Sequence, residues 1–165
     1  MKDQSIFLNE ILRRQFRPSF KMIENIIRSC PKSIWARKNI DPPIWQQVYH
    51  VLYGTDYWFS KSKEQFVPPG FEKNVHAVLG EESTGFIEQD DMLKYLVHVE
   101  KKVVDFISDL DVNSITNPSK LYTKWTNLDV VLEQIRHFQH HLGYLNHVLL
   151  KCKIRPVEWE FFENT

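Results

Sequence analysis

Four stretches of the chain carry apolar residues at the three-and-four spacing of an amphipathic helix. The first runs from Ser5 to about Arg28 through Ile6, Leu8, Ile11, Leu12, Phe16, Phe20, Ile23, Ile26 and Ile27. Pro18 lies inside it with no N–H to donate, so the pattern predicts a bend or break at Arg17, and Pro31 a stop. The second spans about Pro42 to Ser62, with Asp41 placed to cap it and prolines in the first turn, where their missing donor costs nothing. The third covers Gln89 to Leu110 through Met92, Leu93, Leu96, Val99, Val103, Phe106 and Ile107, with Asp90 and Asp91 at its favourable end. The fourth runs from about Leu128, behind Asn127 as a cap, to Lys151.

The intervening text predicts connectors. Ser33 to Ile40 links the first two helices, with Trp35 tucked on the core. Phe66 to Glu88, punctuated by Pro68, Pro69, Gly70, Gly80 and Gly85, is a long loop that serves either as a lid or as an ordered connector. Asp111 to Thr126 holds Pro118 and an expected extended piece around Leu121 to Trp125. The tail KIRPVEWEFFENT should fold back across the helices as a plug. No strand-like alternation competes, so the reading is all-α: a four-helix bundle forming a single domain over residues 1–165.

Composition narrows the function. The chain is 42% hydrophobic and 25% charged, the balance of a soluble globular protein. Lys+Arg and Asp+Glu both number 21, so no bulk positive field gathers nucleic acid or an anionic membrane. No apolar run reaches the length of a signal peptide core or of a membrane span. Cys30 and Cys152 form neither a CxxC motif nor a disulfide framework, which suits a reducing, cytoplasmic setting.

The chemistry concentrates in IRHFQHHLGYLNHVL, residues 135–149, which hold four of the seven histidines. On a helix, His137 and His141 stand one turn apart on one face, and His137 with His140 makes a competing pair. Gly143 costs about 1 kcal/mol relative to alanine inside a helix, which predicts a close approach there. On the second helix, His50, Tyr53, Tyr57 and Trp58 stand at offsets that share a face. His50 with two histidines of the later helix would make a neutral three-imidazole set with an open fourth position, as in catalytic zinc. His76 and His98 read as surface residues. The absence of HExxH, of paired ExxH, of a PCxxC after His98 and Glu100, and of P-loop, dinucleotide and GxSxG motifs removes the common alternatives.

The run RHFQHHLGYLN resembles the helix-four signature of DinB-like proteins, and WQQVYHVLYGTDYWF resembles their helix-two segment. The YfiT-like branch is the nearest. The resemblance covers essentially the whole chain and implies a four-helix bundle with an up-down-down-up connection and a homodimer. It also implies a divalent metal, zinc or nickel, on His50, His137 and His141, with His140 and His147 facing elsewhere. Family members with assigned activity include transferases dependent on bacillithiol, mycothiol or glutathione and a mycothiol-dependent maleylpyruvate isomerase; many have no assigned reaction.

The expectation is therefore a metal-dependent transferase or hydrolase that activates a low-molecular-weight thiol or water toward a small-molecule substrate. Tyr53, Tyr57 and Trp58 would line its pocket, and Glu133, one turn before His137, would orient that ring. The contrasting expectation is a non-catalytic, stress-related metal-binding or dimerisation module.

Overall fold

A computed structural model describes residues 2–37, 39–40, 42–71 and 74–162, with side chains from residue 7 onward. The described residues form five helices and no strand: α1 Lys2–Ser29, α2 Lys32–Trp35, α3 Ile44–Trp58, α4 Gln89–Ser108 and α5 Asn127–Lys151. Four are long, and α2 is a single turn that seats Trp35 in the core, its indole N–H donating to Ile87 O at 2.7 Å. None of the described helices is long and apolar enough to cross a membrane.

α1 passes through Pro18 without a break. An internal proline costs about 3 kcal/mol, but Phe16, Phe20, Ile23, Ile26 and Ile27 on both sides of it are all buried. Each such burial is worth about 1.5–3 kcal/mol, so the continuous apolar stripe outweighs one lost hydrogen bond. α3 starts at Ile44, later than expected, because a residue followed by proline is driven out of the helical region and Pro42 precedes Pro43. Asp41, the expected cap, lies outside the described residues. At its far end α3 stops at Trp58, short of the expected Ser62, where side chains take over the last carbonyls. The carbonyl of Asp56 accepts from Ser60 Oγ at 2.8 Å and from Lys102 Nζ at 3.3 Å.

The cap of α5 is Thr126, one residue before the expected Asn127. Thr126 Oγ1 accepts from the Asp129 amide at 3.1 Å, and Asp129 Oδ2 accepts from the Thr126 amide at 2.8 Å. This reciprocal box satisfies two otherwise orphaned donors. The extended piece expected at Leu121 to Trp125 is instead a turn, closed by Trp125 N on Tyr122 O at 3.0 Å and flanked by a bridge between Pro118 and Thr126.

α1 packs on α4 and α5, and α3 packs on the same two helices. Asn9 of α1 donates to Leu110 O beyond the end of α4, whereas Gln89 at the start of α4 caps the carbonyls of Ile27 and Cys30. Phe138 of α5 sits edge-on to Phe16 and Phe20 of α1. The tail does turn back: Asn146 holds the backbone of Val157 through two hydrogen bonds, and Asn25 donates to Glu160. It forms an outer strap and not a plug, since Trp159 and Phe161 remain about 60% exposed. Cys30 is buried, Cys152 half-buried, and both thiols are free.

Candidate metal centre

Three of the seven histidines converge between α3 and α5. His50, His137 and His141 each bring a ring nitrogen to within 4.8 Å of the others. Ring centroids lie 5.2 Å apart for His50 and His137, 4.8 Å for His50 and His141, and 4.7 Å for His137 and His141. The competing partner of His137, His140, is exposed on the outer side of α5, as is His147. The face reading of the helix therefore selects the pair four apart.

What surrounds the rings sets their chemistry. His50 Nδ1 lies 3.0 Å from Ala77 O, His141 Nδ1 lies 2.8 Å from Gln47 Oε1, and His137 Nδ1 lies 3.3 Å from Gln134 Oε1. All three partners are oxygens that only accept, so each Nδ1 carries the proton and each Nε2 is left as a lone pair. The Nε2 atoms of His50 and His137 face each other at 3.2 Å. Two nitrogens bound at 2.0–2.1 Å to a tetrahedral zinc are roughly 3.3–3.4 Å apart, so this pair already has the spacing of two ligands of one ion. The same tautomer and the same outward hydrogen bonds are what metal-binding imidazoles use to hold their orientation.

Burial keeps the rings neutral. It is the main cause that lowers the pKa of all three, pushing His137 down to about 4 and His141 to about 3. Neighbouring imidazoles add to the shift for both, while the Ala77 carbonyl partly opposes it for His50. Neutral rings are competent ligands at physiological pH, whereas protonated ones are not. The donor set thus fits a divalent ion.

The long loop reaches this centre. Gln46, next to Gln47 on α3, directs its amide N–H groups at the carbonyls of His76, Val78 and Glu81, at 3.2, 3.2 and 2.9 Å. That grip brackets Ala77, whose carbonyl holds His50. The part of the expected lid or connector from His76 to Glu81 is held against α3 beside the histidines. His76 lies on its outer side beside Glu81, at 3.4 Å.

Glu133 does not serve His137. It turns outward to pair with Arg136, while Gln134 takes its place on the inner side and also accepts from Thr55 Oγ1 at 3.2 Å. A glutamate at 133 is one residue off the buried stripe formed by Val130, Gln134, Phe138, His141 and Leu145, and that stripe was the signal available in the sequence. The close approach expected at Gly143 is at Gly54 instead. A Cβ on Gly143 would meet nothing within 4 Å, whereas one on Gly54 would stand 3.1 Å from His137 Cε1.

The three expected pocket residues pack their rings on neighbouring aromatics. Tyr53 and Tyr57 pack edge-on against Phe66, with centroids at 5.2 and 5.3 Å. Trp58 stacks on Trp125 at 4.9 Å and an interplanar angle of 19°. His98 is mostly exposed, lies parallel to Tyr95 and comes within 3.9 Å of Asp56.

Asp56 was not anticipated. It is 1% exposed, accepts from Tyr95 Oη at 2.8 Å and pairs with Lys102, one helical turn and a half beyond His50 on α3. Comparison with protein-family models, curated proteins and solved structures finds no match to this chain.

Proposed function

We propose that this chain is a DinB-like, YfiT-like metalloprotein whose three histidines hold a divalent zinc or nickel ion used in catalysis. The observation that carries the reading is the set of three rings that each bring a ring nitrogen to within 4.8 Å of the others, while each Nδ1 lies against an oxygen. Two imidazole nitrogens 3.2 Å apart need a cation between them, a shared proton or a metal ion, to avoid lone-pair repulsion. A bound divalent ion supplies the means to ionise a low-molecular-weight thiol or water at neutral pH for transfer to, or hydrolysis of, a small molecule. His50, His137 and His141 would hold the ion; Gln47, Gln134 and Ala77 O would hold the rings.

The helix contacts support a four-helix bundle with the up-down-down-up connection that the resemblance implies. Contacts of Gln47 with His141 and of Thr55 with Gln134 run α3 against α5 in opposite directions. Tyr49 with Tyr95 and Phe59 with Phe106 run α3 and α4 alongside each other. Asn9 near Leu110 and Gln89 near Ile27 oppose α1 and α4. A single cytoplasmic domain pairing as a homodimer completes the proposal.

The competing reading, a metal-binding module without turnover, is favoured by the enclosure of the centre: His141 is only 6% exposed. Cobalt substitution separates the two. Added bacillithiol or glutathione that shifts the visible spectrum of the cobalt protein supports the enzyme, through an open position on the ion. A spectrum indifferent to thiols, azide and cyanide supports the closed module and overturns the catalytic proposal.

A further inference from the structure

Beyond the end of α3 the chain forms a groove of about 810 Å³ whose lining includes none of the three clustered histidines. That is within the ~300–1,000 Å³ range of small-molecule sites. The last turn of α3, the second half of α4 and the connector from Ser114 to Asn127 enclose it. Its apolar wall is rigid. Trp58 stacks face to face on Trp125, Phe106 lies edge-on to Phe59 at 4.9 Å, and Leu110 and Pro118 also line the groove.

The lining also carries charge. Lys61, Lys101, Lys102 and Lys120 line the groove against Asp105 and Asp109. Lys102 is satisfied by the buried Asp56 and by Ser60, and Lys101 by Asp105 at 2.6 Å. Lys61 and Lys120 have no partner among the described residues. Counting Asp56 behind Lys102, the groove keeps one net positive charge on a chain whose overall charge is zero. Asn117 adds an exposed neutral amide to the lining.

We infer that this groove is a second ligand site, separate from the histidine centre, for a small carboxylate with a planar apolar body. The aromatic residues give the flat body a surface, and Lys61 and Lys120, exposed in the lining, give the carboxylate its counter-charge. A polyanion is disfavoured by Asp105 and Asp109 in the same lining, and an uncharged ligand leaves both lysines unused.

The test is titration of the whole ¹⁵N-labelled protein with 2-naphthoate and, in parallel, the uncharged 2-naphthylmethanol. The expected result is saturable naphthoate binding that moves the Trp58 indole N–H and the amides of Ser119 and Lys120. The indole of Trp35, buried and bonded to Ile87 O, should stay in place. The alcohol and the K61Q/K120Q variant should each bind roughly five-fold more weakly, the effect of two exposed charge interactions of ordinary strength. Both lysines are exposed, so the variant keeps its fold. Non-saturating titration, shifts centred elsewhere, or equal affinity for alcohol and variant overturns the site. So does naphthoate binding that disappears in His141→Ala, which would assign it to the histidine centre.

Discussion

Gly54→Ala tests the geometry of the centre more sharply than removal of a ligand. Gly54 lies inside α3, where alanine is favoured over glycine by about 1 kcal/mol. The new methyl would stand 3.1 Å from His137 Cε1 and 3.7 Å from Nδ1, so one of the two must yield by a few tenths of an ångström. The backbone of α3 is held by its neighbours, whereas the half-buried ring of His137 can tilt. In the metal-free protein the propensity gain and the contact cost nearly offset, leaving stability within about 1 kcal/mol of wild type, or roughly 2–4 °C in Tm. Metal affinity should respond differently, because a tilted ring loses both its bond to Gln134 and its aim at the ion. A loss of about ten-fold is expected, the lower end of what disturbing the support of a ligand costs. Paired measurements, thermal melting of the apo protein and zinc affinity by competition with a chromophoric chelator, check both halves. Unchanged zinc affinity, or a fall in apo Tm beyond about 8 °C, would refute the reasoning.

Gln46→Ala should release the segment from His76 to Glu81, seen as faster proteolysis within it, and weaken zinc binding by about ten-fold through the loss of Ala77 from His50. Asp56→Asn leaves Lys102 without its counter-charge; because Lys102 is 27% exposed, a loss of about 2 kcal/mol in urea denaturation is expected, below the 3–5 kcal/mol of a fully buried pair. Acid should destabilise the apo protein. The native pKa values of His137 and His141 lie below the unfolded value of about 6.5, so the unfolded chain binds the extra protons and stability falls as pH drops from there toward 3–4. A His137→Gln/His141→Gln double variant should flatten that decline in pH-dependent melting; an equally steep decline would place its origin elsewhere.

The long helices are legible in the sequence because each buries one stripe against a common core, and a stripe writes itself as a three-and-four spacing. Contacts that cross between helices leave no such periodic trace. Pro18 reads as a break until the burial on both sides of it is weighed. The pairing of His137 with His141 is legible once a helix is assumed, since the i and i+4 relation is local, whereas the choice of His50 as their partner comes with the resemblance and not with any local spacing. The choice of Gln134 over Glu133 turns on about 100° of rotation around α5, which chemical preference for a carboxylate overrode and the apolar stripe would have decided. Gly54 and Gly143 are indistinguishable as letters. Only the approach of α5 to α3 crowds the first and leaves the second open. Asp56, Tyr95 and Lys102 come from two helices 39 and 46 residues apart in the chain, beyond the reach of any local pattern.

The central claim is that His50, His137 and His141 bind one metal ion. Elemental analysis of protein purified without a histidine tag, beside the His50→Ala, His137→Ala and His141→Ala variants, tests it directly. About one zinc or nickel per chain, lost in each variant while helical circular dichroism is retained, is the predicted result. Protein that takes up no metal even after exposure to zinc and nickel, or variants that keep a full equivalent, would contradict it.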